Sequence, residues 1–101
     1  MIILGRYSEI YKTNEYPHIS GDIHHPCEHK EKILKYMKSC VSSSSAPAVL
    51  TDVFTGDKIN VPLECKSDGV YGWRTDYIYY IEKYDLKIPE DFVQHVLNKT
   101  A

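Results

Sequence analysis

The sequence predicts a small soluble α+β domain, and three observations carry that expectation. Apolar residues recur at helical spacing in three separate stretches, around 33–40, 77–84 and 92–97. Short runs rich in β-branched, aromatic and aliphatic residues occupy 2–7, 48–54, 59–65 and 70–73. Turn residues separate those runs, Thr55-Gly56-Asp57-Lys58 in one place and Asp68-Gly69 in another. The expected architecture is an antiparallel sheet of three or four strands, with one helix in the N-terminal half and two at the C-terminus. At 101 residues the chain makes a single domain, 1–101. A chain of that size buries roughly 65% of its unfolded surface, enough for one core.

From the N-terminus, residues 2–7 form the first strand and the polar, turn-rich segment 12–25 a loop. Pro26 is suited to open a helix with Glu28 in its first turn. Ile33, Tyr36, Met37 and Cys40 make the inner face of that helix, widened by Leu34 and Val41, while Lys32, Lys35 and Lys38 point outward. Ser42–Ser45 with Pro47 ends it and serves as a connector. A hairpin then joins 48–54 to 59–65. In the second run Ile59, Val61, Leu63 and Cys65 alternate with polar residues, giving one buried face. Pro62 cannot donate to a ladder, so this strand lies at an edge or carries a bulge.

The stretch 68–96 organises the rest. It holds the only Trp and five of the nine Tyr. After the Asp68-Gly69 turn, Val70, Tyr71 and Trp73 form a strand, and Thr75 or Asp76 caps the following helix. Tyr77, Tyr80, Ile81 and Tyr84 share one helical face, with Ile78 at its edge. Tyr79 falls opposite, beside Asp76, Glu82 and Lys83. Pro89 fits the first position of the last helix, Glu90 and Asp91 suit its positive end, and Phe92, Val93, Val96 and Leu97 form its buried face.

Composition excludes several classes. A net charge of −2 gives no signal for nucleic acid or a membrane surface. No stretch approaches the ~20 apolar residues of a membrane span, and the apolar run at the N-terminus is too short for a signal peptide. Three cysteines without a Cys-x-x-Cys pair argue against a disulfide scaffold and favour a reducing compartment. Charge is uneven: residues 1–50 carry six basic and five acidic groups, residues 51–101 six and nine. The second half is the better match to a basic partner.

No catalytic set stands out. The segment His18, Asp22, His24, His25, Cys27, His29 offers zinc-preferring side chains, but lacks the paired ligands from two segments that structural zinc uses. A small metal-binding or hydrolytic protein built on His24, His25 and Cys27 is therefore the alternative reading, and no metal or cofactor is expected. The serine run has no Gly-x-Ser-x-Gly context, and no nucleotide-binding glycine loop occurs. Asp52, Asp57, Glu64 and Asp68 could supply paired carboxylates, but Asp57 and Asp68 sit where Asp commonly caps a turn.

The pattern Asp68-Gly69-x-Tyr71-x-Trp73-x-x-Asp76-x-x-x-Tyr80-x-x-x-Tyr84, followed by Pro89-x-x-Phe92-x-x-His95-Val96, covers about a third of the chain. It resembles small bacterial immunity proteins of polymorphic-toxin and contact-dependent growth-inhibition systems. The resemblance implies a cytoplasmic, non-enzymatic protein that binds a cognate toxin domain and blocks its active site. Such toxins are often basic nucleases, which the acidic second half would suit. The expected partner-binding residues are Asp68, Asp76, Tyr79, Glu82 and Lys83: an exposed aromatic anchor among charges that steer association.

Overall fold

A computed structural model describes residues 1–46 and 49–100. The fold class is α+β. A four-stranded sheet has the order β1-β6-β5-β2, and a separate two-stranded hairpin pairs β3 with β4. The strands are β1 (Ile2–Ile3), β2 (Val41–Ala46), β3 (Leu50–Thr51), β4 (Lys58–Ile59), β5 (Leu63–Ser67) and β6 (Tyr71–Arg74). The helices are α1 (Ser8–Tyr11), α2 (Lys30–Ser39), α3 (Thr75–Tyr84) and α4 (Glu90–Thr100), with a 3-10 turn at Ile19–Gly21.

The main sheet is mixed rather than wholly antiparallel. β6 runs antiparallel to β5, but β1 lies parallel to β6, with Ile2 opposite Tyr71 and Ile3 opposite Gly72. β1 is only two residues long because Gly5 turns the chain away at φ +74°, a conformation glycine adopts without strain. A Cβ at Gly5 would stand 2.7 Å from the Tyr77 ring, so the backbone passes directly over that side chain.

Pro62 does more than mark an edge. The expected strand 59–65 is cut there into two pieces that belong to different sheets, β4 in the hairpin and β5 in the main sheet. Proline lacks the N–H that would continue one ladder, and the chain changes direction. The alternating face is broken with it: Ile59 is buried and Leu63 half-buried, while Val61 and Cys65 are exposed. The other hairpin strand is also shorter than expected, since only Leu50 and Thr51 of 48–54 pair; Ala48 lies outside the described residues.

The serine run is not a connector. Val41–Ala46 is a strand at the edge of the main sheet, antiparallel to β5, with a bulge between Ser42 and Ser44; Pro47 lies outside the described residues. Val41 therefore leaves α2 and is exposed. Helix α2 begins at Lys30, later than Pro26 suggested. At its other end, Lys66 Nζ donates to the carbonyls of Lys38 (3.3 Å) and Cys40 (3.0 Å), a cation on carbonyls the helix leaves free. The polar segment 12–25 also reaches inward, because Ile19 is fully buried.

The core sits between the sheet and the helices. Phe92 of α4 lies at its centre, with the rings of Tyr71 and Trp73 at 5.0 and 5.5 Å and Tyr36 at 6.4 Å. Tyr71 and Trp73 point the same way from β6, as a two-residue period requires. Val70, expected in that strand, lies just before it and is exposed. Tyr77, Ile78, Tyr80 and Ile81 bury the inner face of α3. Neither proposed cap closes that helix. Arg74 holds the N-cap position without a side-chain bond, and the Thr75 hydroxyl instead donates to the Pro62 carbonyl.

Candidate functional site

The densest polar arrangement joins α3 to the hairpin and centres on Asp52. The turn after β3 puts Asp52 where one carboxylate oxygen, Oδ1, accepts the backbone N–H groups of Phe54 (2.8 Å) and Thr55 (3.2 Å). This is the local capping for which Asp is favoured in turns. The second oxygen, Oδ2, accepts the hydroxyls of Tyr79 (2.6 Å) and Tyr84 (2.8 Å) from α3. The Tyr80 hydroxyl accepts the Val53 N–H (3.0 Å) and donates to the Thr51 carbonyl (3.3 Å). Three tyrosines of one helix thus clamp one turn.

The Asp52 side chain has no exposed surface. Burial alone would raise its pKa, but the Tyr79 and Tyr84 hydroxyls and the two backbone N–H groups favour the charged form and lower it to about 2. Lys83 supplies the nearest cation: its Nζ lies 3.6 Å from Asp52 Oδ2 and donates to the Tyr79 hydroxyl at 3.1 Å. The same ammonium sits over the rings of Tyr79 (5.5 Å) and Tyr84 (5.6 Å). Phe54 packs on Tyr84 at 4.7 Å and edge-on to Tyr80 at 6.1 Å. What faces outward is Val53 and Phe54, 40% and 37% exposed, and Lys83, which shares the Tyr84 ring with Phe54 as a neighbour.

The five expected partner-binding residues do not form one surface. Tyr79 and Lys83 are brought together, but Tyr79 is half-buried rather than an exposed anchor. It lies on the side of α3 away from Tyr77 and Ile81, but the hairpin covers that side of the helix too. Asp76 is buried, paired with Arg74 at 3.0 Å. Burial of its carboxylate, more than the opposing Arg74 charge, sets its raised pKa. Asp68 is withdrawn as well: its side chain is 6% exposed. Its oxygens accept the N–H groups of Val70 (2.9 Å) and Tyr71 (2.8 Å), the Tyr36 hydroxyl (2.5 Å) and His95 Nε2 (2.7 Å). Glu82 is exposed but faces α2, bound to Lys38 at 2.9 Å.

The histidine segment is occupied with α3 through its backbone. The His24 and His25 N–H groups donate to the carbonyls of Tyr84 (2.9 Å) and Asp85 (2.8 Å), and the Lys87 N–H returns to the Asp22 carbonyl (2.8 Å). This strap satisfies the carbonyls at the end of α3, where Asp85 turns left-handed at φ +52°. Among the described residues, no three His, Cys, Asp or Glu side chains gather as a metal ion would require. All three cysteines are free. Burial, followed by the nearby Asp68 charge, raises the Cys40 thiol pKa, which disfavours the thiolate.

Sequence reasoning passed over Asp52 as a member of a loose carboxylate set. The usable signal was the turn residue itself, four positions before Gly56, combined with three tyrosines on one short helix. Among the described residues, no helix is long and apolar enough to cross a membrane. Comparison of the chain with protein-family models, with curated proteins and with solved structures finds no match in any of the three.

Proposed function

We propose that this chain is an immunity-type protein that binds and neutralises a cognate bacterial toxin domain in the cytoplasm. The observation that supports it is the patch of Val53, Phe54 and Lys83 held over the Asp52 cluster. Aromatic and aliphatic side chains beside a cation, fixed from below by buried hydrogen bonds, lose little entropy on binding and suit protein recognition. The resemblance of the 68–96 pattern to immunity proteins supplies the class of partner. The acidic excess of the second half suits a basic nuclease domain, although Asp68 and Asp76 are too buried to lead that attraction.

In this reading Phe54 is the anchor, and Tyr79 acts from beneath it by fixing the hairpin turn. The test is growth rescue and calorimetric titration against the toxin domain of a secreted effector encoded beside this gene. Phe54→Ala and Val53→Ala are expected to weaken binding tenfold or more, about 1.4 kcal/mol or more, with thermal melts confirming that both variants are folded at the assay temperature. Failure of the wild-type chain to protect cells or to bind that domain would remove the class. Wild-type affinity in both variants would remove the patch.

A further inference from the structure

The strand order leaves β2 at an open edge of the main sheet, and all six of its residues are exposed. Such an edge carries unpaired backbone N–H and C=O groups and is a template for another strand. Proteins usually blunt it with lysine, proline, shortness or a bulge. Here the opposite edge, β1, is two residues long, but β2 is Val-Ser-Ser-Ser-Ser-Ala, without a charge or a proline. Pro47 follows it in the sequence, and within 41–46 the one protective feature is the bulge. At that irregularity the Ser43 hydroxyl donates across to the Cys65 carbonyl of β5 at 3.0 Å.

We infer that the outer edge of β2 is the docking site for a second copy of this chain, pairing antiparallel about a twofold axis to join the two main sheets. The composition of the strand argues for this occupant. A twofold contact sets the strand against itself, and in every register that pairs 41–46 with 41–46 only Val, Ser and Ala meet. No like charges face each other, and Ser–Ser pairs across antiparallel strands are stabilising. Val41, at 78% exposure among the least covered large apolar residues of the chain, gains a neighbour. A heterologous basic or acidic strand would find no charge within β2 to recognise.

The contact is small. Two six-residue strands fall short of the roughly 1,200 Å² of stable complexes, so the expected dimer is weak and forms only at high protein concentration. It uses none of the residues around Asp52 and is independent of toxin binding.

The experiment is sedimentation equilibrium of the full chain from about 10 µM to about 1 mM. Wild type is expected to pass from monomer to dimer across that range. Among the described residues, the Ser44 and Ser45 hydroxyls make no hydrogen bond; position 45 stands opposite Glu64, so a lysine there is matched and a glutamate is not, and a thermal melt checks that each variant is folded. Ser44→Lys/Ser45→Lys and Ser44→Glu/Ser45→Glu are each expected to stay monomeric, and an equimolar mixture of the two to dimerise at least as tightly as wild type. A wild-type chain that is monomeric at the highest concentration overturns the inference. So does a Lys/Lys variant that dimerises like wild type.

Discussion

The Tyr79 hydroxyl donates to Asp52 Oδ2 at 2.6 Å, tying the middle of α3 to a turn 27 residues earlier. A residue that helical periodicity assigns to the surface is thereby part of the fold. Tyr79→Phe removes one donor to a buried carboxylate while keeping the ring. It should cost about 1.5–3 kcal/mol, the range for hydrogen bonds to charged groups. Urea unfolding measures this, and a loss under about 0.5 kcal/mol would mean that the hydroxyl bonds equally well to water.

Acid should loosen the same joint. Asp52 has its pKa lowered to about 2 in the fold, against an ordinary 3.8. A carboxylate with a depressed folded pKa contributes stability that is present above its unfolded value and is lost as pH falls through the folded one. Asp68 is lowered still further; its burial is outweighed by the Tyr36 hydroxyl, the Tyr71 and Val70 amides and His95. Stability should therefore fall between about pH 4 and pH 2. Asp52→Asn should be less stable at neutral pH and show a shallower acid loss. Unfolding free energies measured along the pH axis decide it, and parallel curves for the variant and wild type would count against Asp52.

Gly5 is a second joint. Alanine there meets both a left-handed backbone, φ +74°, and the Tyr77 ring at 2.7 Å. Backbone strain of about 1–2 kcal/mol and overpacking of about 1–3 kcal/mol should together destabilise Gly5→Ala by about 2 kcal/mol or more. The readout is a lower urea midpoint with an unchanged slope. A midpoint equal to wild type would show that the chain can leave Tyr77 at no cost.

Trp73 is 2% exposed and stands against Phe92. Trp73→Ala should cost about 3–5 kcal/mol, as truncation of buried aromatics does. In a domain whose total stability is about 5–15 kcal/mol, that leaves little, and the melting transition should move down by many degrees. A shift of a degree or two would mean that the cavity collapses around Phe92.

How much was legible in the sequence follows from which forces are local. The faces of α3 and α4 came through because periodicity is written into neighbouring residues: Tyr77, Tyr80 and Ile81, then Phe92, Val93 and Val96, are all buried. Trp73 came through because large aromatics dominate small cores. The strands fared worse because their partners are remote. Four serines give no apolar alternation, so β2 is specified by the edge that β5 offers rather than by its own side chains. Pro62 was recognised as a disturbance, but whether it bulges or breaks a strand depends on where each half finds a partner. The candidate site was half legible. Tyr79 and Lys83 were found from the helix, while Asp52 could be ranked only once the hairpin was seen to fold back onto it.

The parallel pairing of β1 with β6 also sets an order of events. Ile2 finds its ladder partner in Tyr71, and the amide of Leu4 donates to the carbonyl of Gly72 at 2.8 Å. On the ribosome, at about 5–20 residues per second, the first strand emerges seconds before its docking edge has been made. Until then the apolar start, Met-Ile-Ile-Leu, has no sheet to join. Closing so long a loop carries an entropic cost before any contact repays it. Docking of β1 is thus expected among the last steps of folding, and the sheet's own first strand is the one a chaperone would meet longest.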